Sequence, residues 1–151
     1  MTSRSSPAGV PGQWTVYVDG AARGNPGPAA AGALIIDAAG SHVLRISRKL
    51  GRLPNNQAEY KALLLALDAL VVHAPLSVLV RMDSELVVRQ LTGQYRVKDP
   101  TLQELHGRVQ VLRRTLGTVH FEHVPRAQNA EADRLANLAL DGKSVEDGGL
   151  N

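Results

Sequence analysis

The hydrophobic period of the chain changes at Asn56, and that change constrains the fold more than any single motif. Upstream, Trp14, Val16 and Val18 alternate with Thr15, Tyr17 and Asp19, the period of two expected of a half-buried strand that ends at Asp19. A Gly- and Pro-rich stretch then predicts a turn before a second apolar run over 33–36, and a turn near Ala39 and Gly40 leads into a third strand over 42–49. Downstream, Ala58, Ala62, Ala66, Leu67 and Leu70 recur at helical spacing, predicting a helix to near His73 with Asn55 or Asn56 as its N-cap.

The remaining elements follow from the same cues. Residues 77–82 form a β-branched run closing on Asp83, Ser84 is placed to cap a short helix over 85–91, and Gly93 ends it. Residues 101–116 carry a stripe of Leu102, Leu105, Val109 and Leu112, a second long amphipathic helix. A fifth strand over 119–124 precedes a last helix, capped by Asn129 and running to Leu140. The order βββαβααβα predicts an α/β fold, a five-stranded mixed sheet flanked by helices. Residues 1–12 read as a flexible leader, 13–141 as the folded domain and 142–151 as a disordered tail.

Composition narrows the chemistry. A chain of 151 residues suits one core and leaves no room within it for a second catalytic domain. The absence of Cys excludes disulfides, thiolate metal sites and cysteine nucleophiles. No apolar run approaches the roughly 20 residues of a membrane span, and the first residues lack the apolar core of a signal peptide, so the expected location is the cytoplasm. Seventeen Lys and Arg against 14 Asp and Glu give a mild positive excess, compatible with a polyanionic partner but also with an ordinary basic surface.

The acidic residues say more. Asp19 and Asp83 fall at predicted strand ends, and Glu59 and Asp133 near predicted helix starts. Each position alone is explained by turn formation or capping. Together, two strand ends and two helix starts can converge at one edge of a mixed sheet, and four carboxylates gathered there repel one another unless a divalent cation intervenes. Oxygen-only donors select hard ions such as Mg²⁺ or Mn²⁺, and four carboxylates can hold two of them about 3.5–4 Å apart, the arrangement used in phosphoryl chemistry. The five His share no ligand spacing, so no zinc site is expected, and His123 reads as structural.

Four segments, YVDGAARGNPGPAAAG, LPNNQAEYKALLLAL, VRMDSELVVRQL and VPRAQNAEADRLAN, together resemble type 1 ribonuclease H in order and spacing, over most of the chain from Trp14 to about Leu140. The resemblance implies a ribonuclease H-like catalytic domain that hydrolyses the RNA strand of RNA/DNA hybrids with two Mg²⁺ or Mn²⁺ ions, leaving 5′-phosphate and 3′-hydroxyl ends. It assigns the metal and catalytic roles to Asp19, Glu59, Asp83 and Asp133. In it Asp19 bridges both ions, Asp133 completes the ion that activates water, and Glu59 and Asp83 surround the ion at the departing 3′ oxygen. It places Asn25, Asn55, Asn56, Ser84 and Glu85 at substrate-contacting positions; Glu85 stands where some relatives have Gln and can accept but not donate a hydrogen bond to a 2′-hydroxyl.

Two features common among relatives are absent. The short 125–128 link holds no His, and Arg126 sits there instead, read either as a phosphate-facing cation near Asp133 or as a plain surface residue. The TGQYRVKDP segment leaves no room for a basic protrusion, although Tyr95, Arg96 and Lys98 are within it. The expected partner is an RNA/DNA hybrid bound by a monomer without a membrane or an obligate protein partner. The alternatives are a noncatalytic nucleic-acid-binding module on the same fold, or a nuclease for duplex RNA or RNA–DNA junctions.

Overall fold

A computed structural model of the chain describes residues 11–143 and 146–147, so most of the expected leader and tail lies outside the described residues. The elements run β1 Gln13–Ala22, β2 Gly27–Ile36, β3 His42–Leu53, α1 Asn55–Val71, β4 Ser77–Met82, α2 Glu85–Leu91, α3 Pro100–Leu116, β5 Val119–His123, a 3₁₀ turn Arg126–Asn129 and α4 Ala130–Leu140. The strands lie in the order β5-β4-β1-β2-β3, with β1, β4 and β5 parallel and β2 and β3 antiparallel to their neighbours. Two residues of the polar tail, Glu146–Asp147, add a short sixth strand, β6, antiparallel to β3 at Arg45 and Ile46.

The first strand outruns its expected end. Asp19 is not terminal: β1 continues to Ala22, with Asp19 opposite Gly32 and Ala22 opposite Ala29 on β2. What stops near Asp19 is the parallel pairing, whose last partners are Val18 and Met82. Beyond that point β1 keeps β2 but loses β4, which leaves Asp19 at a notch where the two parallel strands part, at their carboxyl ends, where α/β sheets place their ligands. The Gly- and Pro-rich stretch is correspondingly mostly strand, and only its middle turns, with the Asn25–Pro26 peptide cis.

The helices cover both faces. One face of β1 and β2, bearing Val16, Val18, Ala31, Ala33 and Ile35, packs on Leu63, Leu67 and Leu70 of α1, with Leu102, Leu105 and Val109 of α3 behind them. Leu112, the last residue of the expected α3 stripe, is only partly buried. The other face takes α4 through Ala132, Leu135, Ala136 and Ala139. Burying each large aliphatic side chain contributes about 1.5–3 kcal/mol, and this core holds the strand ends in place. Buried Tyr60 donates to Gln90 Oε1 at 2.7 Å and ties α1 to α2; burial pushes its hydroxyl up to about 12.

Two of the expected caps differ from the sequence reading. Helix α1 begins at Asn55 itself, with Pro54 in the N-cap position and no capping side chain of its own. The backbone N–H of Asn55 is satisfied instead from another loop, by Asn25 Oδ1 at 3.0 Å. Asn129 occupies the N-cap position of α4, but its side chain makes no capping hydrogen bond and turns inward. Ser84 does cap α2, accepting from Val87 N–H at 3.3 Å, and Asp99 caps α3 with Pro100 at the first helical position.

Two glycines let helices touch strand backbone. A Cβ on Gly20 would stand 2.2 Å from the carbonyl oxygen of Ala58 in α1, and one on Gly32 would stand 2.0 Å from that of Ala132 in α4. Gly32→Ala is therefore expected to force α4 outward and lower the unfolding free energy by about 1–3 kcal/mol or more. Gly107→Ala, in α3 with open space around the added methyl, should instead raise it by about 0.5–1 kcal/mol. Urea denaturation of the two variants beside the parent chain measures both signs.

Candidate active site

The two glycine contacts aim two carboxylates at the notch. Because α1 lies directly on Gly20, Glu59 in its second turn accepts from Gly20 N–H through Oε1 at 3.2 Å. Because α4 lies directly on Gly32, the register partner of Asp19, Asp133 comes up beside Asp19, near enough to raise its carboxyl. Asp83 follows immediately after β4, next to the last parallel pair. One carboxylate oxygen each of Asp19, Glu59 and Asp83 lies within 4.8 Å of the others, so three separate elements deliver three acids to one point. Asp133 stands at the Asp19 side of this trio rather than within it.

The cluster is electrostatically unfavourable as it stands. Asp19 is 5% exposed, and burial, then Asp83, then Asp133, push its carboxyl up to about 7, with Arg126 partly opposing. Glu59 is also raised well above the ordinary carboxylate range, first by burial and then by Asp19, against the favourable Gly20 N–H. An all-oxygen donor set of this density matches the preference of hard divalent cations, and the residues present fit such an ion.

Amides and cations surround the acids. Asn137, one turn after Asp133, donates to the Asp133 carbonyl at 2.9 Å and lies 3.3 Å from its Oδ1; Arg23 in turn donates to Asn137 Oδ1 at 3.1 Å and pairs with Asp141 at 2.9 Å. Asn129, 1% exposed, donates to the Val18 carbonyl at 2.9 Å and lies 3.4 Å from Asp83 Oδ1. The sequence reading did not find Asn137 or this use of Asn129. The i, i+4 spacing of Asp133 and Asn137 was a usable signal, whereas the inward turn of Asn129 depends on contacts remote in sequence. Arg126 sits 3.5 Å from Asp133 Oδ1 with its side chain 78% exposed, so it lies beside the fourth aspartate and open to solvent.

The other candidate residues fall in two groups. Asn25 and Asn55 meet through the bond from Asn55 N–H to Asn25 Oδ1, with Asn56 next in the first turn of α1. Ser84 and Glu85 follow Asp83 directly; Ser84 is engaged as the α2 cap, and Glu85 Oε2 accepts from Arg89 Nε at 2.8 Å. His123 is exposed at the end of β5 rather than packed in the core. From β5 to the 3₁₀ turn only Val124 and Pro125 intervene.

Comparison with known proteins places this arrangement in a family. The family model described as Reverse transcriptase-like matches residues 17–139. The bifunctional protein Rv2228c of Mycobacterium tuberculosis is 45% identical over 127 residues, covering 83% of this chain and 35% of that protein, so the chain spans about a third of its length. Ribonuclease HI of Halobacterium salinarum is 44% identical over 130 residues, covering 86% of this chain and 65% of that protein, and the crystal structure of the RNase H1 from the same organism superposes with a TM-score of 0.83, covering 87% of this chain and 99% of the solved one. An RNase H1 isolated from compost by a metagenomic approach (LC11-RNase H1), solved in complex with an RNA/DNA hybrid, is 42% identical with a TM-score of 0.82, covering 85% and 97% of the two chains. The mixed sheet with helices on both faces is thus the ribonuclease H fold, and the chain belongs to the type 1 ribonuclease H family, in its short form.

Proposed function

We propose that this chain is an endonuclease that hydrolyses the RNA strand of RNA/DNA hybrids in a divalent-cation-dependent reaction, leaving 5′-phosphate and 3′-hydroxyl ends. The observation that carries this reading is the convergence of Asp19, Glu59 and Asp83 within 4.8 Å, with Asp133 at its edge, at the carboxyl ends of parallel β1 and β4. The hybrid bound to the 42% identical compost RNase H1 supports the choice of substrate. Asp19, Glu59, Asp83 and Asp133 would hold two Mg²⁺ or Mn²⁺ ions, which supply charge neutralisation at the reacting phosphate and lower the pKa of water.

The chain's own residues position the substrate around that point. Asn25 Oδ1 is occupied by Asn55 N–H, which leaves the Asn25 amide as a donor toward the hybrid. Asn56, in the first turn of the helix that carries Glu59, and Ser84 and Glu85, directly after Asp83, would contact the hybrid, and short polar groups there suit the donor and acceptor character of 2′-hydroxyls. Glu85 is aligned by Arg89 and offers its second oxygen as an acceptor. Arg126, exposed beside Asp133, would face the phosphate and neutralise charge there. Among the described residues no helix is long and apolar enough to cross a membrane, and the domain acts as a cytoplasmic monomer in this reading.

The test is cleavage of a labelled hybrid, duplex RNA, duplex DNA and single-stranded RNA, each with and without Mg²⁺ or Mn²⁺. Hybrid cleavage that requires the cation and falls about 10³-fold or more in Asp83→Asn is expected, the equivalent of several kcal/mol of transition-state stabilisation. Equal cleavage by that variant would defeat the mechanism, preferential cleavage of duplex RNA would reassign the substrate, and tight hybrid binding without cleavage would make the domain a binding module.

The raised Asp19 carboxyl gives a second expectation. In the cation-free protein a group near 7 when folded and near 3.8 when unfolded leaves stability intact below about pH 4 and removes it as pH rises through 7. Asp19→Asn is therefore expected to be more stable than the parent at pH 8 without cations, by on the order of 2–4 kcal/mol, and equal to it near pH 4. Adding Mn²⁺ at pH 8 should stabilise the parent and not the variant; thermal melts at both pH values, with and without Mn²⁺, measure these differences.

A further inference from the structure

Asn129 stands at the joint between the 3₁₀ turn and α4, 1% exposed, and its amide is used in one direction only. Its Nδ2 donates to the Val18 carbonyl at 2.9 Å and lies 3.4 Å from Asp83 Oδ1, while its Oδ1 is buried with no partner among the described residues. A carbonyl cannot donate, so the contact with Val18 fixes which end of the amide points at Asp83. An amide placed for stability alone would cap α4 and satisfy both of its ends. This one leaves the cap unmade and an acceptor orphaned, and spends both donors on the site.

That single side chain joins three parts of the site. It grips β1 at the residue before Asp19, touches the carboxylate after β4, and is the first residue before the helix that carries Asp133. We propose that Asn129 is a positioning residue for the cation site, fixing the orientation of the Asp83 carboxylate relative to Asp19 through its two N–H donors. Residues of this kind, one shell behind the ligands, typically govern metal affinity by 10–100-fold. The inference rests on the cation-dependent reading above and is tested apart from it.

The experiment is calorimetric titration of Mn²⁺ into cation-free parent chain, Asn129→Ala and the nearly isosteric Asn129→Leu, at a temperature where circular dichroism shows each folded, with kcat and KM measured on a labelled hybrid. Both variants are expected to bind Mn²⁺ about 10–100-fold more weakly, with kcat reduced and KM for the hybrid within about twofold of the parent. The leucine variant carries the test if the alanine variant does not fold. Lower cation-free melting temperatures with unchanged Mn²⁺ affinity would overturn the proposal and leave Asn129 a purely structural residue. A parent chain that binds no Mn²⁺ would defeat the cation reading and this inference with it.

Discussion

The contact of two helices with bare strand backbone is the constraint from which the rest of the molecule follows. Where α1 meets Gly20 and α4 meets Gly32, the separation is too small for any side chain on the strand, with backbone carbonyl oxygens 2.2 and 2.0 Å from the place of a Cβ. Gly20 and Gly32 lie on opposite faces of the sheet, so the two helices clamp it from both sides near the end of parallel pairing. An ordinary helix-to-sheet spacing would carry Glu59 and Asp133 away from Asp19. The glycines thus trade local backbone freedom, and the side-chain burial another residue would add, for proximity of acids.

The proximity is held against electrostatic resistance. Asp19 and Glu59 are both buried enough, and near enough to other carboxylates, that their ionised forms are disfavoured. The apolar core opposes that cost: α1, α3 and the sheet bury Val16, Val18, Leu63, Leu67, Leu70 and Val109 completely or nearly so, and this burial fixes the ends of β1 and β4 whatever charge sits beyond them. A site stabilised from behind by packing and destabilised in front by like charge is one in which a binding cation both relieves repulsion and completes the structure, and the natural stability of the domain becomes linked to the ion. The amides of Asn129 and Asn137 add direction, holding Asp83 and Asp133 by donors that do not neutralise them.

Much of this was readable from residues alone, and the exceptions share a cause. The alternation through Val16 and Val18, the stripe of Leu102, Leu105 and Val109, and the Ser84 cap are local patterns, fixed by neighbours within a turn or a strand. Glu59, Asp83 and Asp133 stand beside the helix starts and the strand end that local patterns predict, whereas Asp19 lies inside β1 rather than at its end. What sequence patterns could not express were contacts between distant segments. Asp19 looked terminal because β4 stops beside it, although β2 continues past it; Asn55 looked like a cap because nothing local announces that Asn25, 30 residues earlier, supplies the acceptor. Asn129 looked like a cap for the same reason, its partners Val18 and Asp83 lying 111 and 46 residues away.

The short link between β5 and α4 bears on how little the domain uses to work. Val124 and Pro125 lead straight into the turn that holds Arg126 and Asn129, so one exposed cation and one buried amide are what this link brings to the carboxylates. The chemistry then depends on whether a divalent ion occupies the point shared by Asp19, Glu59 and Asp83. An anomalous difference map from crystals of the chain grown with Mn²⁺ measures that directly: a strong peak coordinated by oxygens of these three carboxylates is expected, and a map empty there, or a peak only at surface acids elsewhere, would contradict the account.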